Sequence, residues 1–299
     1  MPRATVLTPT FNHGPLLLRS IGSALSQTVQ DVEILVVGDG VDETTRDVVR
    51  ELERDERVRF FDHPKGPRRG EAYRHAVLRD HARGGIVCYL GDDDLWLSEH
   101  VETMERLLED ADFAHAPFVM VHANGTVKTW PVDLARRDHR EHVFTRLGFF
   151  PLSSQAHTME MYRRLPHGWR TTPEGIATDV YMAQQFLAQA DCRTVSGSRP
   201  TYVAFPDGFR GDWTLEQRAV ELDEWSEKLR TASGREEFLL AVLGDLRARL
   251  LSIESSRTWR LRNRLVDPRR AAAQLAWRLG SRRGTPWRTR SEVRRDPRL

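Results

Sequence analysis

The sequence predicts an α/β protein with a mainly parallel central sheet flanked by helices. Over about the first 110 residues, short apolar runs alternate four times with segments of helical periodicity, the pattern of a parallel sheet with right-handed crossovers. The run at 32–37 is apolar except for Glu33, and continuous apolarity indicates a strand that is covered on both faces. Polar or glycine-rich segments follow these runs, at the sheet edge where such folds bind ligands.

Prolines set the boundaries of the first strand–helix unit. Pro9 cannot donate to a central ladder, so the strand ends near it. Pro15 lies in the tolerated first turn of the next helix. The following units repeat this order. We predict strands at 5–7, 32–37, 58–61 and 86–90, and helices beginning near residues 14, 42, 71 and 98.

The second half of the chain has weaker patterns. Two apolar runs at 113–121 and 126–130 flank Asn124-Gly125, a strong hairpin signal. We further predict an irregular stretch at 131–150, a strand at 156–162, a helix from Thr178 to about 190, a strand within 194–205, and helix from residue 214.

Charge is unevenly distributed along the chain. The net charge of the 299 residues is only +2, but residues 257–299 contain 14 arginines and three acidic residues. Arginine with Trp259, Trp277 and Trp287 suits an anionic membrane surface. A solubilising tail without a partner is an equal alternative, and we expect no nucleic-acid partner. Two cysteines, no signal-peptide core and no run of about 20 apolar residues predict a cytoplasmic protein, peripheral at the inner face of the plasma membrane if the tail binds lipid.

Three consecutive carboxylates, Asp92, Asp93 and Asp94, follow the predicted strand at 86–90. Neighbouring like charges raise one another's pKa. A divalent cation is the simplest group to offset them, because hard cations prefer carboxylate oxygens. A solvated acidic turn that caps the next helix is the alternative.

Other polar residues lie at the same predicted edge. Asp39 could accept hydrogen bonds from a base or ribose, or serve as an Asx-type turn residue. Arg74 could hold phosphates or form a surface salt bridge. Gly38-Asp39-Gly40 lacks the third glycine of a dinucleotide fingerprint, and no P-loop, HExxH or GxSxG motif occurs in the sequence. After these motifs are excluded, the sequence still predicts a nucleotide-sized crevice with a cation site.

Three segments together resemble the family 2 glycosyltransferases of the GT-A fold: Thr8-Pro9-Thr10-Phe11-Asn12, Val36-Val37-Gly38-Asp39-Gly40 and Tyr89-Leu90-Gly91-Asp92-Asp93-Asp94-Leu95-Trp96. The resemblance covers roughly the first 110 residues firmly and extends loosely to about Phe205. It implies a nucleotide-diphosphate-sugar donor, a Mn²⁺ or Mg²⁺ cofactor, and inversion at the anomeric carbon.

The resemblance also assigns roles to individual residues. It implies that Asp39 contacts the base and that Asp93 binds the metal. From the residues themselves, Asp92 could reach a ribose or the metal, and Asp94 could be a further ligand or only orient the loop. Gly91 is a departure, since the commonest family pattern has Asp there. The expected donor-binding residues are Thr8, Pro9, Thr10, Asn12, Asp39, Arg74 and Asp92.

An inverting transfer needs a base on the face opposite the leaving group. Family members place an acidic residue at the start of a helix after the second half of the sheet, and Asp179 matches that position. Glu174 is the runner-up, and the alternative for Asp179 is a carboxylate favoured by the helix dipole. Trp169 is expected either to stack on an acceptor sugar or to be a core residue.

The sequence therefore predicts a metal-dependent inverting glycosyltransferase that acts on a glycan or lipid-linked acceptor in bacterial cell-surface glycan synthesis. The alternatives are a nucleotide-sugar-binding protein with little turnover and a nucleotidyltransferase. The predicted domains are a GT-A domain at 1–210 (donor half 1–110, acceptor half 111–210), a helical extension at 211–256 and a basic tail at 257–299.

Overall fold

The structure is a computed structural model that describes residues 1–130, 132–145 and 150–266. The strands are β1 (Ala4–Thr10), β2 (Val32–Asp39), β3 (Val58–His63), β4 (Ile86–Tyr89), β5 (Leu95–Trp96), β6 (Phe113–His115), β7 (Phe118–Val121), β8 (Val127–Trp130), β9 (Gln155–Thr158), β10 (Thr194–Ser196) and β11 (Tyr202–Ala204). The helices are α1 (Gly14–Leu25), α2 (Glu43–Leu52), α3 (Glu71–His81), α4 (His100–Leu108), α5 (Arg137–Thr145), α6 (Met159–Arg164), α7 (Thr178–Leu187), α8 (Leu215–Arg230), α9 (Ala232–Ser255) and α10 (Arg257–Val266).

The central sheet has seven strands in the order β10-β6-β9-β4-β1-β2-β3. Its strands pair in parallel except β9, which is antiparallel to both β4 and β6. In the register of β1 with β2, Val6 lies opposite Ile34 and Thr10 opposite Gly38. The mainly parallel α/β architecture predicted from the sequence is confirmed.

Helices cover both faces of this sheet, which explains why β2 is buried along its whole length. One face packs against α1, α2 and α4, through residues such as Ile21, Val49 and Met104. The other face packs against α3, α6 and α7, through residues such as Leu78 and Phe186.

A second sheet of four strands has the order β5-β11-β7-β8. The hairpin predicted around Asn124-Gly125 is confirmed, since β7 and β8 pair antiparallel and Gly125 has φ +75°. This sheet shares an apolar cluster with α8 and the start of α9, in which Leu222 and Phe238 pack with Val119 and Val203.

Four local predictions were wrong in detail. The runs at 113–121 and 194–205 each form two strands, and the two members of each pair belong to different sheets. The strand predicted at 156–162 ends at Thr158, whose side chain accepts from the backbone N–H of Met161 and caps α6. Part of the stretch predicted as irregular, Arg137–Thr145, is helical.

The chain divides into two compact units, residues 1–243 and 244–299. The predicted domain boundaries at 110, 210 and 256 stay predictions. Within the described ranges, no helix combines the length and apolarity that crossing a bilayer requires. Most of the predicted basic tail, including Trp277 and Trp287, lies outside the described residues.

Candidate active site

A cavity of about 860 Å³ opens where β1, β2 and β4 end at their carboxyl termini. This is the edge at which parallel α/β sheets bind ligands. Polar and charged residues from six segments meet there. They include Thr10, His13, Asp39, Lys65, Arg68, Arg69, Arg74, Asp92, Asp93, Asp94, Thr178, Asp179, Tyr202 and Asp207.

Asp39 accepts hydrogen bonds from residues 64–70, the segment between β3 and α3 that is called the basic loop below. Its Oδ2 accepts from Lys65 Nζ at 2.7 Å and its Oδ1 accepts from the backbone N–H of Gly66, also at 2.7 Å. Gly70 has φ +65°, and a Cβ there would lie 2.7 Å from Asp39 Cγ. Only glycine suits both the backbone and the contact, so the close approach of this loop to Asp39 depends on Gly70.

The three carboxylates after β4 have different partners. Asp92 Oδ1 lies 3.1 Å from His13 Nδ1, and Asp92 Oδ2 accepts from the backbone N–H of Phe11 at 3.3 Å. Asp93 Oδ2 accepts from Arg218 Nη2 at 2.7 Å. Asp94 Oδ2 accepts from the Ser153 hydroxyl at 2.6 Å. Asp94 therefore stabilises the loop after β4 through its hydrogen bond with Ser153. Asp92 and Asp93 form a pair of carboxylates on the cavity wall.

These carboxyl groups affect one another's protonation. Burial, with a further contribution from the negative charge of Asp92, raises the pKa of Asp93 to about 6, although Arg218 opposes the shift. Burial and the charge of Asp93 raise the pKa of Asp94 well above its usual range. The hydrogen bond from His13 to Asp92 raises the pKa of His13 to about 9. These raised pKa values show that the site favours positive charge, as expected for crowded carboxylates.

The donor set fits a divalent cation that is shared with a substrate. Within the described ranges, no three His, Cys, Asp or Glu side chains are arranged to hold a metal by themselves. Asp92 and Asp93 supply two carboxylates, and Mg²⁺ is commonly held by one or two carboxylates together with substrate phosphates. The residues present would therefore hold Mn²⁺ or Mg²⁺ only in part, with the remaining ligands coming from a bound phosphate group or water.

Arginine side chains line the same cavity as these carboxylates. Arg74 is buried, and its Nη2 donates to the backbone carbonyl of Arg69 at 2.8 Å. Its guanidinium lies 4.9 Å from the ring centroid of Trp169, and its buried Nε has no hydrogen-bond partner. Burial lowers the pKa of Arg74 to about 10, so the side chain stays cationic at neutral pH. A buried cation with an unused donor suits an anionic ligand.

Asp179 lies in the first turn of α7 and lines the same cavity. Its carboxylate accepts from the backbone N–H of Val180 at 3.0 Å, but burial dominates and raises its pKa. Burial and the negative charges of Asp94, Asp93 and Asp179 together raise the pKa of Tyr202, because this side chain lies close to all three. Glu174, the runner-up for the base, is exposed and is not part of the cavity wall.

Besides Glu174, three sequence-predicted residues lie outside the cavity wall. Trp169 is 2% exposed and donates from Nε1 to the Tyr89 hydroxyl at 2.9 Å, so the predicted stacking on an acceptor sugar does not fit its position. Thr8 is fully buried in β1. Asn12 has φ +53°, and its side-chain oxygen accepts from the backbone N–H of Asp42. Asn12 therefore shapes the first loop from outside the cleft.

The residues of the site that were missed from the sequence include His13, Glu71, Asp207 and Arg218. Glu71 is buried and accepts from the backbone N–H of Arg69 and from the Thr178 hydroxyl, which joins the basic loop to the start of α7. His13 follows the Thr8–Asn12 segment and could have been found by its position. Nothing in the local sequence distinguishes Arg218, which lies 125 residues from its partner Asp93.

Solved structures share this fold. S. aureus TarS residues 1–349 in complex with UDP-GlcNAc matches with a TM-score of 0.54 and 16% identity, covering 69% of this chain and 59% of that one. A mannosyltransferase from Pyrobaculum calidifontis in complex with GDP-Man and Mn²⁺ matches with a TM-score of 0.50 and 19% identity, covering 87% and 82%. The GT-A fold expected from the resemblance is confirmed.

Curated relatives match part of the sequence. The GalNAc(5)-diNAcBac-PP-undecaprenol beta-1,3-glucosyltransferase of Campylobacter jejuni is 34% identical over 119 residues, 38% of this chain and 37% of that enzyme. The validoxylamine A glucosyltransferase of Streptomyces hygroscopicus is 40% identical over 62 residues, 20% of this chain and 15% of that enzyme. These alignments span well under half of either relative. The family described as Glycosyl transferase family 2 matches residues 5–167, more than half of the sequence, and the chain therefore belongs to that family.

Proposed function

We propose that the protein transfers a sugar from a nucleotide-diphosphate-sugar donor to a hydroxyl acceptor, with inversion at the anomeric carbon. The observation that carries the proposal is the meeting of Asp39, the Asp92–Asp93 pair and Asp179 on the wall of one cavity. Membership of glycosyltransferase family 2 supports the reaction type. The ligands of the matching structures, UDP-GlcNAc and GDP-Man, support the donor class.

The donor would lie along the strand ends. Asp39 would contact the nucleoside, and Pro9 and Thr10 line the same cavity. The cationic side chains of Arg69 and Arg74 suit the diphosphate, because charged hydrogen bonds in a partly buried site are strong. Asp92 and Asp93 would hold Mn²⁺ or Mg²⁺, which when bound acts as a Lewis acid that stabilises the charge of the departing diphosphate.

Asp179 is the proposed general base. The acceptor oxygen forms a bond to the anomeric carbon while the bond from that carbon to the diphosphate oxygen breaks. The hydroxyl proton moves to the Asp179 carboxylate, and the nucleoside diphosphate leaves with the bonding electron pair. Because burial raises the pKa of Asp179, its carboxylate is a stronger base than an exposed aspartate.

The proposed acceptor is a glycan or a lipid-linked sugar used in bacterial cell-surface glycan synthesis at the inner face of the plasma membrane. Support comes from the C. jejuni relative, whose name specifies an undecaprenol-linked substrate. Docking of residues 257–299 on an anionic membrane stays a prediction.

The test combines a donor screen with a variant. Purified protein is incubated with UDP-GlcNAc, UDP-glucose or GDP-mannose, Mn²⁺ and an undecaprenyl-diphosphate-linked sugar, and the released nucleotide is identified. We expect release of a nucleoside diphosphate and a loss of at least roughly a hundredfold in Asp93→Asn. Asp80→Asn, on the exposed side of α3, is the matched control. Release of pyrophosphate would instead identify a nucleotidyltransferase, and full activity of Asp93→Asn would contradict the proposed role of the carboxylate pair.

A further inference from the structure

Arg218 forms an ion pair with a carboxylate that the proposed function assigns to the metal. Its Nη2 donates to Asp93 Oδ2 at 2.7 Å, and its Nη1 pairs with Asp207. The Arg218 side chain is only 6% exposed, and its Nε is buried without a partner. Arg218 therefore places the positive charge of a guanidinium beside the carboxylate pair.

The helix that carries Arg218 is firmly anchored. Thr214 and Gln217 form a capping box at the start of α8. One turn after Arg218, Leu222 is fully buried in the cluster beneath the second sheet. Glu221 forms a buried ion pair with Arg210, whose Nη2 also donates to the carbonyl of Val121. Arg218 is thus held in place by the surrounding structure, unlike a loose surface side chain.

The effect of the Arg218 charge depends on the side from which Arg218 contacts Asp93 and Asp207. Asp93 and Asp207 line the cavity, whereas Arg218 is not among the lining residues and reaches both carboxylates from the protein side. A cation in the cavity could therefore contact Asp93 while Arg218 stays in place. It would meet a carboxylate pair whose negative charge is reduced in part by Arg218, which also pairs with Asp207.

The reduced negative charge of the Asp92–Asp93 pair weakens binding most for a cation that binds without a substrate. The described residues supply two carboxylates and no complete metal site, so the affinity for a free divalent ion depends strongly on the local charge. At an effective dielectric constant of about 20, one unit charge a few ångströms away changes the affinity for a divalent ion by roughly tenfold or more. A nucleoside diphosphate adds oxygen ligands and negative charge, and this charge compensates for the negative charge that Arg218 offsets.

We propose that Arg218 is a built-in counterion that keeps the Asp92–Asp93 pair from holding a divalent cation alone, so that the cation binds together with the donor diphosphate. Arg218 is a positioning residue in this scheme, because it acts through Asp93. The inference depends on the proposed function, since it takes the diphosphate of a nucleotide sugar as the second source of ligands.

The experiment measures Mn²⁺ binding to the full chain by electron paramagnetic resonance, with and without UDP or GDP. In the natural protein we expect weak binding of Mn²⁺ alone and an affinity at least about tenfold higher with the nucleotide. Arg218→Gln should bind Mn²⁺ alone at least about tenfold more tightly, so that the gain from the nucleotide shrinks. Arg218→Lys keeps the charge and should behave like the natural protein.

Two further variants guard against misfolding and non-specific effects. Asp207→Asn alters a largely exposed side chain, and it should weaken binding of Mn²⁺ alone because Arg218 then neutralises Asp93 more fully. Arg230→Gln removes an exposed charge from the end of the same helix and should change nothing. An unchanged or weaker affinity of folded Arg218→Gln for Mn²⁺ alone would overturn the counterion role. Absence of Mn²⁺ binding to the natural protein under both conditions would instead contradict the metal assignment in the proposed function.

Discussion

Arg218 Nη2 donates to Asp93 Oδ2 at 2.7 Å, which joins residues that lie 125 positions apart. Asp93 follows a strand of the central sheet. Arg218 belongs to the helical extension at 211–256, which was predicted as a part of the chain separate from the site. Because α8 shares an apolar cluster with the second sheet, the extension contributes both to the core and to the charge of the cavity. Substitution of Arg218 in α8 is therefore expected to affect the site.

Asp179→Asn should abolish transfer and retain donor binding. Loss of the basic carboxylate removes a proton acceptor worth about 10² to 10⁴ in rate, whereas the amide preserves the shape of the side chain. The measurement pairs the rate of nucleoside diphosphate release with the affinity for UDP or GDP. Glu174→Gln, on the exposed loop before α7, should retain activity. Loss of turnover in Glu174→Gln with normal turnover in Asp179→Asn would exchange the two assignments.

Trp169→Phe should lower stability without changing acceptor binding. The substitution keeps an aromatic ring against Arg74 but removes the hydrogen bond to Tyr89, at a cost of about 1–2 kcal/mol in the free energy of unfolding. Trp169→Ala should cost roughly 3–5 kcal/mol because it also leaves a cavity. Urea unfolding and the acceptor KM of Trp169→Phe check this. A raised KM at unchanged stability would restore the predicted sugar-stacking role.

Gly70→Ala should disturb the part of the cleft around Asp39, where the nucleoside is proposed to bind. The left-handed backbone and the 2.7 Å approach of a new Cβ to Asp39 Cγ both oppose alanine. We expect a loss of about 1–3 kcal/mol in stability and at least roughly tenfold weaker UDP or GDP binding, measured by calorimetry. Gly22→Ala is the control, because a Cβ at this α1 position meets nothing within 4 Å. It should be neutral or stabilising by up to about 1 kcal/mol.

The stabilising effect of His13 should depend on pH in the metal-free protein. Its pairing with Asp92 raises its pKa from 6.5 to about 9. A raised folded-state pKa stabilises the protein fully below pH 6.5, and this contribution is lost as the pH rises through 9. The difference in free energy of unfolding between the natural protein and His13→Gln should therefore shrink between pH 6.5 and 9. The same substitution at exposed His167 is the control. A difference that grows over this range would show that His13 is not held as a cation.

Several features could be predicted because they depend on neighbouring residues. Apolar runs such as 32–37 indicated strands, and the polar residues after them indicated a ligand-binding edge, since parallel strands end together. Other features required long-range pairing. Phe113–His115 and Phe118–Val121 are both short apolar strands, and nothing in their sequences shows that they belong to different sheets. Trp169 had two interpretations, and only its contacts with Tyr89 and Arg74 distinguish them.

Periodicity and strand-end composition were enough to establish a mainly parallel α/β protein with carboxylates beside a cleft, because backbone geometry links such local patterns to burial. The tertiary structure decided which partner each carboxylate has: Lys65 for Asp39, His13 for Asp92, Arg218 for Asp93 and Ser153 for Asp94. Those partners determine the charge of the site. They come from segments brought together only by the packing of distant helices and loops, so no local pattern in the sequence could show which of them pairs with which carboxylate.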